Sequence, residues 1–128
     1  MARDESLLRI TIHAATTALE SEWADAIRPV LRELAHIEVR ERSSATEDGQ
    51  IALVDSRHPR LDEVLAAIPR EGRSIFLLYV DGEPLPAAFA GGNVDDLLIF
   101  PLRPMDLLGR LRQHEQLRLW EQVSRMNV

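Results

Sequence analysis

The stretch Gly92-Asn93-Val94-Asp95-Asp96-Leu97-Leu98-Ile99-Phe100-Pro101-Leu102-Arg103-Pro104 decides the fold. It holds a turn, an acidic pair, four consecutive apolar residues, a proline, and a second proline where a long helix begins. The run Leu97–Phe100 is too short for an independent helix and predicts a buried strand. Pro101 ends it, because proline brings no N–H to a ladder. Pro104 suits the first turn of a helix, where a missing donor costs nothing.

Upstream, the pattern of a strand followed by a helix recurs. Leu7 to Ala14 (LLRITIHA) is rich in aliphatic and β-branched residues and predicts strand one. Thr16 or Thr17 can cap the next helix, with Glu20 completing a capping box. That helix carries Leu19, Trp23, Ala26, Ile27, Val30, Leu31 and Leu34 near an i, i+3, i+4, i+7 stripe. Pro29 inside it is expected to kink it or leave a carbonyl unpaired. His36 to Arg42 alternates apolar with charged residues, as a half-buried strand near a sheet edge does. Ser43 to Gln50 is polar and reads as a loop or a single helical turn. Ile51 to Asp55 is a continuous apolar run ending in a carboxylate, the mark of a central parallel strand. Leu61 to Ile68 is a short amphipathic helix closed by Pro69 and Gly72, and Ile75 to Val80 is the next buried strand. Asp81 to Gly92, with Pro84, Pro86, Gly91 and Gly92, holds a loop or a short, weak helix. Strands alternating with helices predict an α/β fold, a parallel sheet covered on both sides. With right-handed crossovers, the flavodoxin-like, doubly wound five-stranded order 2-1-3-4-5 follows.

Composition narrows the function classes. A chain of 128 residues predicts one domain over 1–128, with 113–128 as the extended end of the last helix leading out of it. Hydrophobic content of 45% and charged content of 28% suit a soluble globular protein. No apolar run approaches the roughly 20 residues that span a membrane. The charged N-terminus lacks the apolar core of a signal peptide, and the absence of cysteine makes cytoplasmic residence the default. A net charge of −6 argues against direct nucleic-acid binding. Arg103, Arg110, Arg112, Arg118 and Arg125 are interspersed with Asp106, Glu115 and Glu121, as on a solvated face.

The segment from Gly92 to Pro101 resembles the last strand of the receiver domain of bacterial response regulators, the CheY-like family. Its pattern is roughly Gly-Ala-Asp-Asp-Phe-Leu-x-Lys-Pro, followed by a helix rich in leucine and arginine. Where that pattern has lysine, this chain has Phe100. Receivers also place a full helix where Ser43 to Gln50 lies, so the resemblance implies a second helix that is short or absent. In Leu53-Val54-Asp55-Ser56-Arg57-His58-Pro59, Asp55 resembles the phospho-acceptor aspartate. Read from the residues alone, it is either a ligand or nucleophile at a strand tip or a capping and turn residue.

Phosphoryl transfer needs a divalent cation and fixed positive donors around the transferred group. The resemblance puts magnesium-binding carboxylates at the end of strand one, where this chain has His13, Ala14 and Ala15. It puts a hydroxyl at the end of strand four, where Tyr79 and Val80 stand, and a lysine at Phe100. Asp55 is therefore read as a vestigial acceptor position, with His13, Ala14, Tyr79, Phe100 and Pro101 as degenerate switch and pocket positions. The implied function is a phosphorylation-independent signalling module and no enzyme, with no cofactor and no metal. His13 joined with His58 and Asp55 lacks a metal-type spacing and reads as a structural histidine. Asp95-Asp96 read as capping or exposed residues, and Gly91-Gly92 lack the context of a phosphate cradle. Two alternatives stand beside this reading. One is a receiver phosphorylated on Asp55 with unconventional ligands; the other is a small-molecule sensor whose pocket is lined by His13, Asp55 and Tyr79.

The final helix, Met105 to about Arg125, would span about 30 Å. Leu108, Leu111, Glu115, Leu119, Gln122 and Met126 share one of its faces, whereas Leu117 and Trp120 lie on another. Trp120 either meets a partner or folds back on its own domain. In the resembled family this helix links to an output domain or a dimer mate. The expected partners are thus a second copy of the chain, through 84–92, Leu97–Phe100 and the final helix, and an output domain or other signalling protein.

Overall fold

The computed structural model describes residues 8–31, 37–84, 94–101 and 105–113. Its elements are β1 (Leu8–His13), α1 (Thr17–Leu31), β2 (Ile37–Glu41), β3 (Ile51–Asp55), α2 (Leu61–Ala67), β4 (Ser74–Val80) and β5 (Asp96–Phe100). A further helix, α3, is described over 105–113. The strands form one parallel sheet in the order β2-β1-β3-β4-β5, the doubly wound order expected from the sequence. Leu7, His36, the segment 85–93, Leu117, Trp120 and the helix beyond 113 lie outside the described residues, and so does most of the expected dimer face.

Side-chain alternation divides the core between the two faces of the sheet. Leu8, Ile10, Ile12, Leu53, Phe76, Leu78 and Leu98 point to the face covered by α1 and α3, where Ala24, Ile27, Leu31, Leu107 and Leu111 meet them. Ala52, Val54, Ile75 and Leu77 point to the other face, where Leu65 and Ile68 cover them. β3 is buried along its whole length, as its unbroken apolar run requires. Pro29 lies within α1 near its described end, where an absent N–H interrupts little of the helix. Thr16 is the residue that caps α1, its Oγ1 accepting from the Leu19 amide at 3.1 Å. The capping box read from Thr17 and Glu20 does not form, because Glu20 turns its carboxylate toward β1 and the segment after β2.

On the α2 side, the β1–β2 half of the sheet is polar. Its residues there are Arg9, Thr11 and His13 from β1, and Glu38 and Arg40 from β2, each alternating with a residue of the α1 side. No α-helix covers this half among the described residues. Instead, β2 runs into a single 3-10 turn, Arg42–Ser44, and then an extended segment that crosses back to β3. Arginines tether that segment. Arg42 Nε donates to Asp48 at 3.0 Å and its Nη1 to the Ala45 carbonyl at 2.9 Å. Arg73 donates to the carbonyls of Gly49 at 3.1 Å and Asp48 at 3.2 Å.

Gly49 lies so close to β1 that a Cβ there would stand 2.3 Å from the Arg9 carbonyl oxygen. Backbone cannot swing aside as a side chain can. Gly49→Ala is therefore expected to cost about 1–2 kcal/mol, within the range for overpacked sites. A urea midpoint equal to wild type would show that the segment shifts without cost.

At the rim of the sheet, Arg28 of α1 reaches over β2. Its Nη2 donates to the Val39 carbonyl at 3.0 Å and to Glu41 Oε1 at 3.0 Å, and Glu41 also accepts from the Ser21 hydroxyl.

Candidate functional site

Ligands of open α/β sheets gather beyond the carboxyl ends of the strands, at the switch in strand order. Here that switch lies between β1 and β3, and Asp55 closes β3 beside it. Asp55 is 1% exposed. Both of its carboxylate oxygens are engaged. Oδ1 accepts from the Arg57 amide at 2.9 Å and from Arg57 Nε at 3.1 Å, and Oδ2 accepts from Arg57 Nη2 at 3.1 Å. Oδ2 also accepts from the Trp23 indole Nε1 at 2.9 Å. A carboxylate offers about four lone-pair sites, so these four donors satisfy it. Burial works to raise the pKa of Asp55. The hydrogen bonds from Arg57 and Trp23 outweigh it, and the net shift is downward, keeping the group ionised.

Each donor is placed by the local chain. After β3 the backbone turns at once, with the Ser56 amide donating to the Leu78 carbonyl and the His58 amide to the Asp55 carbonyl. That turn folds Arg57 back along the carboxylate in a bidentate clamp. Its side chain is 45% exposed, so one side of the ion pair is wet. Trp23 comes from the middle of α1. Its ring meets Phe100 of β5 edge-on, with centroids 4.8 Å apart and planes at 67°. Phe100 thus buttresses the indole that holds Asp55, and Pro101 follows it at an exposed position.

The other residues singled out from the sequence diverge from Asp55. The His13 side chain is buried, its Nε2 3.3 Å from Asp48 Oδ1. The angles do not make a hydrogen bond, and Nε2 has no partner among the described residues. Burial pulls its basicity down, with Arg42 and His58 adding to that and Asp48 and Glu20 opposing it. The Ala14 amide points to Glu20 Oε2 at 3.5 Å, while Glu20 Oε1 accepts from the Ser43 amide at 3.1 Å. Tyr79 donates its hydroxyl to the Glu83 carbonyl. His58 Nδ1 accepts from the Arg60 amide at 3.0 Å. Asp95 accepts from the Ile75 amide at 2.7 Å and from Arg70 at 3.1 Å, fastening the entry of β5 to β4. Asp96 pairs with Arg110 of α3 at 2.6 Å and accepts from the Leu97 amide.

Sequence reading missed Trp23 and Arg57 as members of this site. Trp23 fell on the apolar stripe of α1, and Arg57 stood inside a quoted motif with no role assigned. A polar residue two positions after an aspartate in a strand-end turn was the available signal.

A magnesium ion needs carboxylate and carbonyl oxygens free to coordinate it. Asp55 is saturated by Arg57 and Trp23, Glu20 is spent on two backbone amides, and the Arg57 guanidinium lies against Asp55. No group of three or more His, Asp or Glu among the described residues is placed to hold a metal ion. The described residues do not fit that cation.

No family model and no curated protein sequence matches the chain. Solved structures do. The signal receiver domain of a LuxO repressor protein from Vibrio parahaemolyticus aligns with a TM-score of 0.66 at 16% identity, covering 92% of this chain and 97% of that one. A response regulator receiver modulated diguanylate cyclase from Pelobacter carbinolicus aligns at 0.64 and 15% identity, covering 91% and 98%. The receiver domain of a sensor histidine kinase from Pseudomonas aeruginosa, with a magnesium ion coordinated in its active-site cleft, aligns at 0.58 and 17% identity, covering 84% and 96%.

Proposed function

We propose that this chain, which has the receiver fold, is a phosphorylation-independent signalling module that acts through protein–protein contact and not through chemistry. The observation that carries the proposal is the engagement of both Asp55 oxygens by Arg57 and Trp23. To attack a phosphorus atom, an Asp55 oxygen would have to give up at least one of these bonds. The incoming group's negative charge would then need compensation. Phe100 stands where the resembled family has its lysine, and Tyr79 and Val80 where it has a hydroxyl, the Tyr79 hydroxyl being given to the Glu83 carbonyl. At the end of β1, Ala14 carries no charge and His13 is held neutral by burial. The guanidinium of Arg57 instead supplies a permanent internal counter-ion, and Phe100 links the site to β5 through Trp23 by packing alone. The module is read as locked in one conformational state.

Its partners are proposed to be a second copy of the chain and an output domain or other signalling protein, in a cytoplasmic setting. Ile99 of β5 and Met105 at the start of α3 are large apolar side chains exposed on the side of the sheet where association is expected. No helix among the described residues is long and apolar enough to cross a membrane.

Intact-mass spectrometry after treatment with acetyl phosphate and millimolar magnesium tests the chemical half. The expected mass is that of the untreated chain. A stoichiometric gain of one phosphoryl group, lost in Asp55→Asn, would instead establish a receiver with unconventional ligands. Light scattering across micromolar concentrations tests the other half. A dimer weakened by Trp120→Ala is expected, and a monomer throughout would remove the second copy from the proposal.

A further inference from the structure

We infer that the crossover 42–50 is an acid-released latch, closed over the β1–β2 face while His13 is neutral and opened when its imidazole takes a proton. His13 is 8% exposed, and its buried Nε2 makes no hydrogen bond among the described residues. The nearest acceptor, Asp48 Oδ1 at 3.3 Å, belongs to the crossover itself and already receives Arg42 Nε at 3.0 Å. Glu20 of α1 is the other carboxylate facing the ring, and its oxygens serve the Ser43 and Ala14 amides. Arg42, from the turn after β2, and His58, from the β3–α2 connection, oppose a charge on the ring. An imidazolium in the closed state would thus be desolvated and share its acceptor with a guanidinium. Lifting the crossover returns the ring to water.

Proton affinity is therefore higher in the open form than in the closed one, and protons favour opening by linkage. The sign follows from the lowered closed-state value. Between the ordinary imidazole value of 6.5 and that lower value, the open form carries the extra proton. Each pH unit of fall in that window raises the opening equilibrium by up to about tenfold. Well above 6.5 both forms are neutral and the latch is indifferent to pH.

The consequence is spatial. The crossover forms one wall of a groove of about 430 Å³ whose floor includes Arg9, Thr11, Glu38 and Arg40. The strands beneath are already polar on this face, so they tolerate water when the latch lifts. Arg73 on the Gly49 and Asp48 carbonyls and the Gly49 amide on the Thr11 hydroxyl at 3.4 Å hold the closed position. This device is independent of whether Asp55 accepts a phosphoryl group.

Amide hydrogen exchange read by mass spectrometry, corrected for the intrinsic pH dependence of exchange, tests it on the full chain. Protection of peptides covering 42–50 is expected to be constant from pH 8 to 6.5 and then to fall severalfold toward pH 5, while β3 and β4 keep theirs. In His13→Gln the fall should vanish. In Asp48→Asn, which keeps the ring but removes a carboxylate favouring its proton, the closed-state value drops further and the fall should continue to lower pH, never disappear. Protection that stays level or rises with acid in wild type overturns the latch, as does an equal fall in His13→Gln. If His13→Gln does not fold, the wild-type profile decides alone.

Discussion

Truncation of Trp23 to alanine is expected to lower the unfolding free energy by about 3 kcal/mol. Complete burial of an aromatic ring would put the loss at about 3–5 kcal/mol. Trp23 is only partly buried against the core, which pulls the figure down. Two specific contacts push it back up. The edge-on packing with Phe100 contributes about 0.5–1.5 kcal/mol beyond area, and a hydrogen bond to an ionised carboxylate about 1.5–3 kcal/mol. Trp23→Phe separates them, since it keeps a ring beside Phe100 and deletes the N–H aimed at Asp55. That variant should lose about 1.5 kcal/mol. Urea unfolding followed by far-ultraviolet circular dichroism reads both. Equal stability of Trp23→Phe and wild type would mean that the indole N–H adds nothing to the hold on Asp55.

Arg57→Ala should cost about 2 kcal/mol at pH 7, and the loss should depend on pH. Removing one partner of a buried pair costs about 3–5 kcal/mol, because the other charge is left without compensation. The Arg57 side chain is 45% exposed, so water can replace part of what it supplies, which lowers the expected cost. In wild type the folded-state value of Asp55 lies below its ordinary 3.8, so its contribution is complete above 3.8 and disappears as pH falls through the folded value. Without Arg57 the largest lowering cause is gone and burial acts in the opposite direction. The gap between variant and wild type should then narrow as pH falls below about 4. A gap that stays constant between pH 7 and pH 3 would show that Arg57 acts by packing and not by charge.

The sheet was legible because its signals are local. Ile51–Asp55 and Ile75–Val80 have no polar interruption, and only a strand buried on both faces tolerates that. The lost second helix was legible too, since Ser43–Gln50 offers no apolar stripe, and the structure has one 3-10 turn there. Bounds slipped by a residue where flanking residues are ambiguous: Ser74 joins β4, and Asp96 joins β5 while still pairing with Arg110. The site was half legible. Asp55 at the tip of β3 follows from the chain's own pattern. Trp23 does not, because periodicity reports which face of a helix a residue occupies and says nothing of where one N–H on that face points. Arg57 was hidden by the opposite habit, reading a short polar turn as a connection. Glu20 was assigned to the cap of its own helix, when the nearest unsatisfied amides belonged to other segments.

The reach of Arg28 over β2 bears on how copies of this chain can meet. A sheet ends where its outermost strand turns main-chain groups to solvent, and a like strand from another molecule can add itself there. A newcomer at β2 would first have to evict a guanidinium from the Val39 carbonyl and break its pair with Glu41. The fold is therefore fenced on one side, and growth of the sheet into a fibre by that route is obstructed from the start. The opposite border has a weaker counterpart, Arg110 Nη1 of α3 donating to the Leu97 carbonyl of β5 at 3.5 Å, so two molecules joining through sheet edges would have to displace a guanidinium at either border.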